Sequence, residues 1–192
     1  MNISHIEESC LIYGPGIRYV IWTQGCSIRC KGCWNKETWS FKEKNLKSIS
    51  ELYDDILKVK KLDGITILGG EAFDQYEELL CLVKKIKEIE LSIILYTGYS
   101  LKELKKNNKT EIFNFIDVLI TGRYEEDKRN INTGGLVGSY NQEIFFYSKK
   151  YSESDLVELN ESEISIDENG KISIYGYETS DLKKNIKIND NK

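Results

Sequence analysis

Four short apolar runs that each stop at glycine constrain this chain more than any other feature. They are "RYVIWTQG" (18–25), "GITILGG" (64–70), "SIILYTG" (92–98) and "DVLITG" (117–122). Continuous apolar runs of this length read as strands covered on both faces. Helical spacing fills the gaps between them. "SISELYDDILKVKKL" (48–62) carries Ile49, Leu52, Ile56, Leu57 and Val59 near one side, with Ser48 or Ser50 to cap its start. "AFDQYEELLCLVKKIKEIE" (72–90) repeats the pattern through Phe73, Tyr76, Leu79, Leu80, Val83 and Ile86, and shorter helical stretches follow at 100–107 and 110–116. Strands alternating with helices require right-handed crossovers and a parallel sheet. The glycine ends then fall on one edge of that sheet, the carboxyl-terminal edge where ligands bind in such folds.

Beyond these runs the chain changes character. Residues 123–142 are glycine-rich and polar, "EIFFYS" (143–148) offers a fifth strand, and "ESEISIDENGKISIYGY" (161–177) alternates around Asn169–Gly170, a two-residue hairpin signal. The last residues are polar and expected to fray. With no internal repeat and no long linker, the expected organisation is one domain over 1–147. A C-terminal extension over 148–192 carries a hairpin at 163–177 and the frayed tail. The 192 residues suffice for one well-filled core. A net charge of −4, with Lys and Arg scattered over polar helix faces, leaves no basic field for a nucleic acid backbone. No window approaches the ~18 uninterrupted apolar residues of a membrane helix. "MNISHIEESCLIYG" (1–14) has no charged leader followed by an apolar stretch, so a cytoplasmic protein is expected.

"GCSIRCKGCWNKETW" (25–39) holds three of the five cysteines, Cys26, Cys30 and Cys33, in the loop after the first run. An odd number of thiols, with three clustered this tightly, suits metal or redox chemistry in a reducing compartment better than disulfides. Cys81, inside an apolar helical pattern, reads as a small core residue, and Cys10 reads either way. Zinc usually wants four ligands, and only Cys10 or His5 could complete the set. A C-x-x-C redox pair would leave Cys26 without a role. A cubane iron–sulfur cluster has four irons, so three thiolates leave one iron for a ligand that is not protein.

At this point the residues resemble a family. C-x3-C-x2-C after a strand is similar to the signature of the radical S-adenosylmethionine enzymes. Within them "YGPGIRYVIWTQGCSIRCKGCWNKETW" (13–39) resembles the glycyl-radical-enzyme activases, above all the subfamily serving anaerobic (class III) ribonucleoside-triphosphate reductase. Gly32 before the third cysteine, "YTGYSLKEL" (96–104) and "ITGRYEEDKRNINTGGLVGSYNQEI" (120–144) add to a likeness that runs in order over residues 13–145. The resemblance implies an α/β fold, a partial (open) TIM-like barrel of about five or six parallel strands, with the C-terminal β-hairpin appended. It also implies a [4Fe–4S] cluster on Cys26, Cys30 and Cys33. S-adenosyl-L-methionine would be held by Gly69, Gly70 and Glu71, the acid taking its ammonium, with Gly32, Trp34, Asn35 and Thr97 lining the pocket. Glycines allow close approach and a carboxylate suits a cation. Arg18 reads as a charge partner inside the sheet or as half of a structural ion pair. Gly134, Gly135 and Gly138, with Asn141, would help form an open face.

The implied activity is reductive cleavage of S-adenosylmethionine at the cluster and removal of a hydrogen from a glycine α-carbon. A glycyl radical is thereby installed on a partner, the large subunit of anaerobic ribonucleotide reductase, with reduced flavodoxin or ferredoxin as electron donor. No side chain is asked to act as acid or base, which suits a chain with one histidine and no triad-like grouping. Glu71 and Ala72 stand where the subfamily usually has Asp and Pro, Val137 and Tyr140 also depart from its pattern, and 148–192 lie beyond it. Two other readings stay open: the same chemistry on a peptide or small molecule, and a non-enzymatic metal-binding module whose loop is structural.

Overall fold

In the computed structural model, which describes residues 1–130, 136–156, 162–166, 170 and 172–176, the four runs lie side by side in one six-stranded sheet. Its strands follow chain order: β1 (Ile3–Cys10), β2 (Arg18–Thr23), β3 (Gly64–Gly69), β4 (Ser92–Thr97), β5 (Val118–Thr121) and β6 (Glu143–Phe146). β2 to β5 are parallel, joined through α1 (Ile49–Lys58), α2 (Tyr76–Glu88) and α3 (Leu101–Lys106). The edges are not. β1 runs antiparallel to β2, and β6 antiparallel to β5, so the expected five or six parallel strands become four in a mixed sheet. Only residues 11–17 separate β1 from β2, too few for the crossover of a dozen or more residues that a parallel neighbour needs. The sequence reading missed β1 because the polar residues of "ISHIEESC" interrupt its apolar pattern, as an edge strand allows.

The helices begin where side chains can take up free backbone N–H groups. Ser48 and Ser100 each accept from the third helical N–H while Glu51 and Glu103 reach back to the cap, two complete capping boxes worth about 1 kcal/mol each. α1 turns Leu52 and Ile56 to the sheet but leaves Leu57 at 54% exposure. The 110–116 stretch is shortened to a 3-10 turn, Glu111–Asn114. Cys81 does not enter the core: α2 buries Leu79, Leu82, Val83 and Ile86, and Cys81 is exposed. Two residues past Leu79 is about 200° around the helix, which carries it off the buried stripe.

Period-two alternation divides the parallel strands between two apolar layers. Tyr19, Ile21, Ile65, Ile67, Ile93 and Leu95 pack under the helices. Val20 and Trp22 face the other way with Cys10 and Ile12, and Ile94, Val118 and Ile120 pack there with Leu136 and Leu156. A separate hairpin, β7 (Ser162–Ile166) and β8 (Ile172–Gly176), pairs Ile164 with Ile174 and Ile166 with Ile172. Asn169 of its expected turn, Tyr177, the tail to residue 192, and Gly134 and Gly135 lie outside the described residues. Among the described residues no helix is long and apolar enough to cross a membrane.

Arg18 is fully buried where β2 begins, and among the described residues no carboxylate is one of its hydrogen-bond partners. Its Nε donates to Thr66 Oγ1 at 2.6 Å, Nη1 to Ser92 Oγ at 3.0 Å, and Nη2 to the carbonyl of Ile65. It is therefore neither a free charge partner nor half of an ion pair, but a fork tying β2, β3 and β4 together through neutral oxygens. Arg18→Ala is expected to cost ~3 kcal/mol or more in urea unfolding, because it opens a cavity and orphans several buried acceptors. A loss below ~1 kcal/mol would contradict this role.

Candidate functional site

The carboxyl ends of β2, β3, β4 and β5 meet as expected, and backbone contact locks the first three together. Gly70 N–H donates to Thr23 O and Glu71 N–H to Gly25 O, both at 2.8 Å. A Cβ on Gly70 would lie 2.2 Å from Gly25 O, and Gly69, at φ +104°, lies equally close to the backbone of Trp22 and Thr23. Only glycine fits such approaches to backbone. Gly98 lies against the end of the Ile28 side chain of the cysteine loop.

The cysteine loop is anchored at both ends. Gly25 N–H donates to Thr38 O at 2.7 Å and Gln24 Nε2 to Ser40 O at 2.7 Å. On its inner side Asp74 accepts from Ser27 N–H at 2.7 Å and from Ser27 Oγ at 2.9 Å, and Tyr99 OH also donates to Asp74. Within the loop Cys33 N–H donates to Cys30 O, and Gly32 sits at φ +74° where a Cβ would strike the Glu126 side chain. Cys26 is buried, Cys30 and Cys33 are half-buried, and none is in a disulfide. All three line one cleft of about 1140 Å³, with Trp34, Asn35, Gly69, Gly70, Glu71 and Thr97 in its walls. Trp34 is 47% exposed at the lip and lies under the Arg129 guanidinium, 4.8 Å from the ring centre.

Glu71 is placed differently from the open acid the sequence suggests. Its side chain accepts from Phe73 N–H at 3.0 Å, Thr97 Oγ1 at 2.8 Å and Gly98 N–H at 2.8 Å, and the residue is 1% exposed. Burial pushes its carboxyl up to about 7 despite these three donors. Thr97 Oγ1 in turn accepts from Tyr99 N–H at 3.1 Å. Both side chains therefore brace the ends of β3 and β4 against each other.

The thiols suit a bound metal better than a free nucleophile. Burial raises the Cys26 and Cys30 thiols above their usual range, so their surroundings do not hold a ready thiolate nucleophile; a bound metal would supply the missing positive charge. Among the described residues no three His, Cys, Asp or Glu side chains are arranged to hold a single metal ion. Cys10 and His5 do not join the loop's thiols. Cys10 Sγ donates to Glu163 at 2.9 Å, and His5 stacks with Trp22 and Tyr175.

The family model for a 4Fe-4S single cluster domain matches residues 12–145. The anaerobic ribonucleoside-triphosphate reductase-activating protein of Enterobacteria phage T4 is 33% identical over 153 residues, covering 76% of this chain and 94% of that protein. Its namesake from Pasteurella multocida is 32% identical over 160 residues, covering 78% and 99%. The chain belongs to this iron–sulfur family, among the radical S-adenosylmethionine activases. The pyruvate formate-lyase-activating enzyme of Staphylococcus epidermidis is 34% identical over a shorter stretch, 45% of this chain and 37% of that enzyme.

Several residues of the activase cleft escaped the sequence reading. Asp74 looked like one more polar helix residue, yet it holds the cysteine loop. Tyr96 OH donates to Leu136 O at 2.9 Å, and Gln142 accepts from Gly138 N–H while donating to Gly122 O, so the 136–142 segment is pinned over the inner face. His5, Tyr13, Trp22 and Tyr175 also line the cleft. Of these, the sequence reading weighs His5 only as a metal ligand and Tyr175 not at all.

Two measurements check this activase site. Gly70→Ala is expected to cost ~1–3 kcal/mol by overpacking and to lower iron bound after anaerobic reconstitution; unchanged iron and stability would refute the close packing of the two loops. Alkylation of the metal-free protein at pH 8 should modify Cys81 first and Cys10 last, since burial and Glu163 push the Cys10 thiol to about 12. Its thiolate fraction then falls ~1000-fold below that of an ordinary thiol. Peptide mass spectrometry reads the order, and early labelling of Cys10 would show that the Glu163 contact is absent.

Proposed function

We propose that this activase installs a glycyl radical on a partner enzyme, and that the partner is an anaerobic ribonucleoside-triphosphate reductase. The observation that carries the reading is the set of three thiols, Cys26, Cys30 and Cys33, in one cleft walled by glycine loops that no side chain could replace. Cys26, Cys30 and Cys33 would hold a [4Fe–4S] cluster, with S-adenosyl-L-methionine bound beside it in the cleft. Together the bound groups supply one-electron reductive cleavage of the sulfonium and removal of a hydrogen atom from a glycine α-carbon.

The chain's own residues bind and orient. Gly69 and Gly70 let the cofactor approach the backbone at the end of β3, while Glu71 and Thr97 keep that backbone rigid. Gly32 turns the loop between the second and third thiols, and Asn35 and Trp34 form the wall and lip beside them. Residues 1–147 form the domain that does this, read as a partial barrel whose open end is the cleft, and 148–192 are a C-terminal extension of which Tyr151 and Leu156 pack back into the inner layer. A reduced flavodoxin or ferredoxin delivers the electron. The two activating-protein relatives match nearly end to end, which favours the reductase as partner over other substrates.

The test is electron paramagnetic resonance on anaerobically reconstituted, dithionite-reduced protein, followed by addition of S-adenosylmethionine and the anaerobic reductase. The expected result is a [4Fe–4S]⁺ signal that changes with the cofactor, then a radical doublet on the reductase. Cys26→Ala, Cys30→Ala and Cys33→Ala should each remove both signals. A stable zinc protein with no cluster signal would overturn the reading. A cluster that cleaves S-adenosylmethionine without a reductase radical would overturn only the choice of partner.

A further inference from the structure

The C-terminal hairpin packs onto the body with its polar face. Glu163 of β7 accepts from Cys10 Sγ and from Leu11 N–H, both at 2.9 Å. Tyr175 of β8 donates to Glu7 Oε2 at 2.5 Å, hydrogen-bonds His5 Nε2 at 3.2 Å, and stacks with Trp22 at 5.9 Å between centroids. Residues opposite each other in the pair share a face and alternate along each strand. Fixing Glu163 and Tyr175 inward therefore puts Ile164, Ile166, Ile172 and Ile174 on the other face. Ile164 is 46% exposed, Ile166 66% and Ile172 38%. A hairpin would ordinarily bury such a face, and this one presents it.

Ile174, Tyr175 and Gly176 line the cleft wall together, so the end of β8 reaches the cleft with residues of both faces and the isoleucine face starts at its edge. From there the isoleucines run outward along the hairpin. The hairpin also lies wholly beyond the region matched by the family model, which ends at residue 145.

We propose that the isoleucine face of β7–β8 is a docking surface for the glycyl-radical partner, receiving an apolar segment beside the glycine that enters the cleft. This rests on the activase reading above. Two five-residue strands at ~3.3 Å per residue and ~4.8 Å apart offer on the order of 200 Å². A stable dimer needs about 800 Å² per subunit, so the patch is too small to hold a second copy alone. It is large enough to extend the interface that the activase reading requires at the cleft mouth.

The test replaces Ile164, Ile166 and Ile172 together by Thr, which keeps β-branching and strand preference while removing apolar surface. The reconstituted holoprotein is titrated by calorimetry with purified anaerobic ribonucleoside-triphosphate reductase. In parallel, its cluster absorption and its dithionite-driven cleavage of S-adenosylmethionine are measured without the reductase. Expected is at least a tenfold weaker affinity for the reductase with absorption and partner-free cleavage unchanged, and near wild-type affinity in the matching triple Val variant. Affinity within twofold of wild type in the Thr variant overturns the proposal. So does sedimentation showing a wild-type dimer that the Thr variant splits, which would make a second copy the occupant. Absent cluster or cleavage in the wild type would count instead against the activase reading.

Discussion

The contact on which the rest depends is the meeting of two stretches of bare backbone, Gly25 and Gly70, at the ends of β2 and β3. The Gly70 N–H reaches the carbonyl of Thr23 at the end of β2 and the Glu71 N–H that of Gly25 in the cysteine loop, and the space between leaves no room for a Cβ. Through this junction the loop takes its orientation from the sheet, the most rigid part of the molecule. A site that must hold its ligands to a fraction of an ångström gains from being built on strand ends. Asp74 and Gln75 add side-chain anchors from the turn that follows, with Gln75 donating to Gln24 O.

Two buried ionisable groups frame the parallel strands from opposite ends. Arg18 joins β2, β3 and β4 where they begin, and Glu71 joins β3 and β4 where they end. Neither has an opposite charge among its hydrogen-bond partners; neutral hydroxyls, carbonyls and N–H groups satisfy both. Desolvation is the largest influence on each: it lowers the guanidinium pKa against the opposing pull of Tyr151, Tyr96 and Asp117, and it raises the carboxyl's, to which Asp74 adds. Such groups are kept because removing them leaves several oriented partners unsatisfied at once. The strands consequently cannot slip or splay at either end independently, which is what a multi-loop site requires of its scaffold.

Much of this was legible in the sequence, and for identifiable reasons. The four apolar runs and their glycines located β2 to β5 because a doubly covered strand tolerates little else, and the Ser48 cap of α1 followed from chemistry local to one turn. The three thiols came to one cleft because their loop begins at a strand end. What the sequence hid depends on partners far along the chain. β1 and β6 carry the mixed polarity of edges, so their existence or direction was lost. Cys81 was misplaced by a helical rotation that its apolar neighbours masked. Nothing local could show that Glu71 would turn inward to Thr97, 26 positions away, or that the hairpin would face the body with Glu163 and Tyr175 and leave its isoleucines outside.

The proposed chemistry explains why so much of the cleft is backbone and so little is titratable side chain. An activase whose bound groups carry the electron and the hydrogen needs no general acid or base, and a side chain with loose hydrogens near a reactive carbon would be a liability. Glycine at positions 32, 69, 70 and 98 offers backbone close by and no Cβ. The more adaptable groups, Trp34 under Arg129 and the Tyr175 flank, sit at the lip, where a protein substrate has to be recognised before its glycine is delivered. Selectivity for the substrate then resides in surfaces outside the reacting centre. Such surfaces can be extended by an appended hairpin without disturbing the strand ends that hold the chemistry.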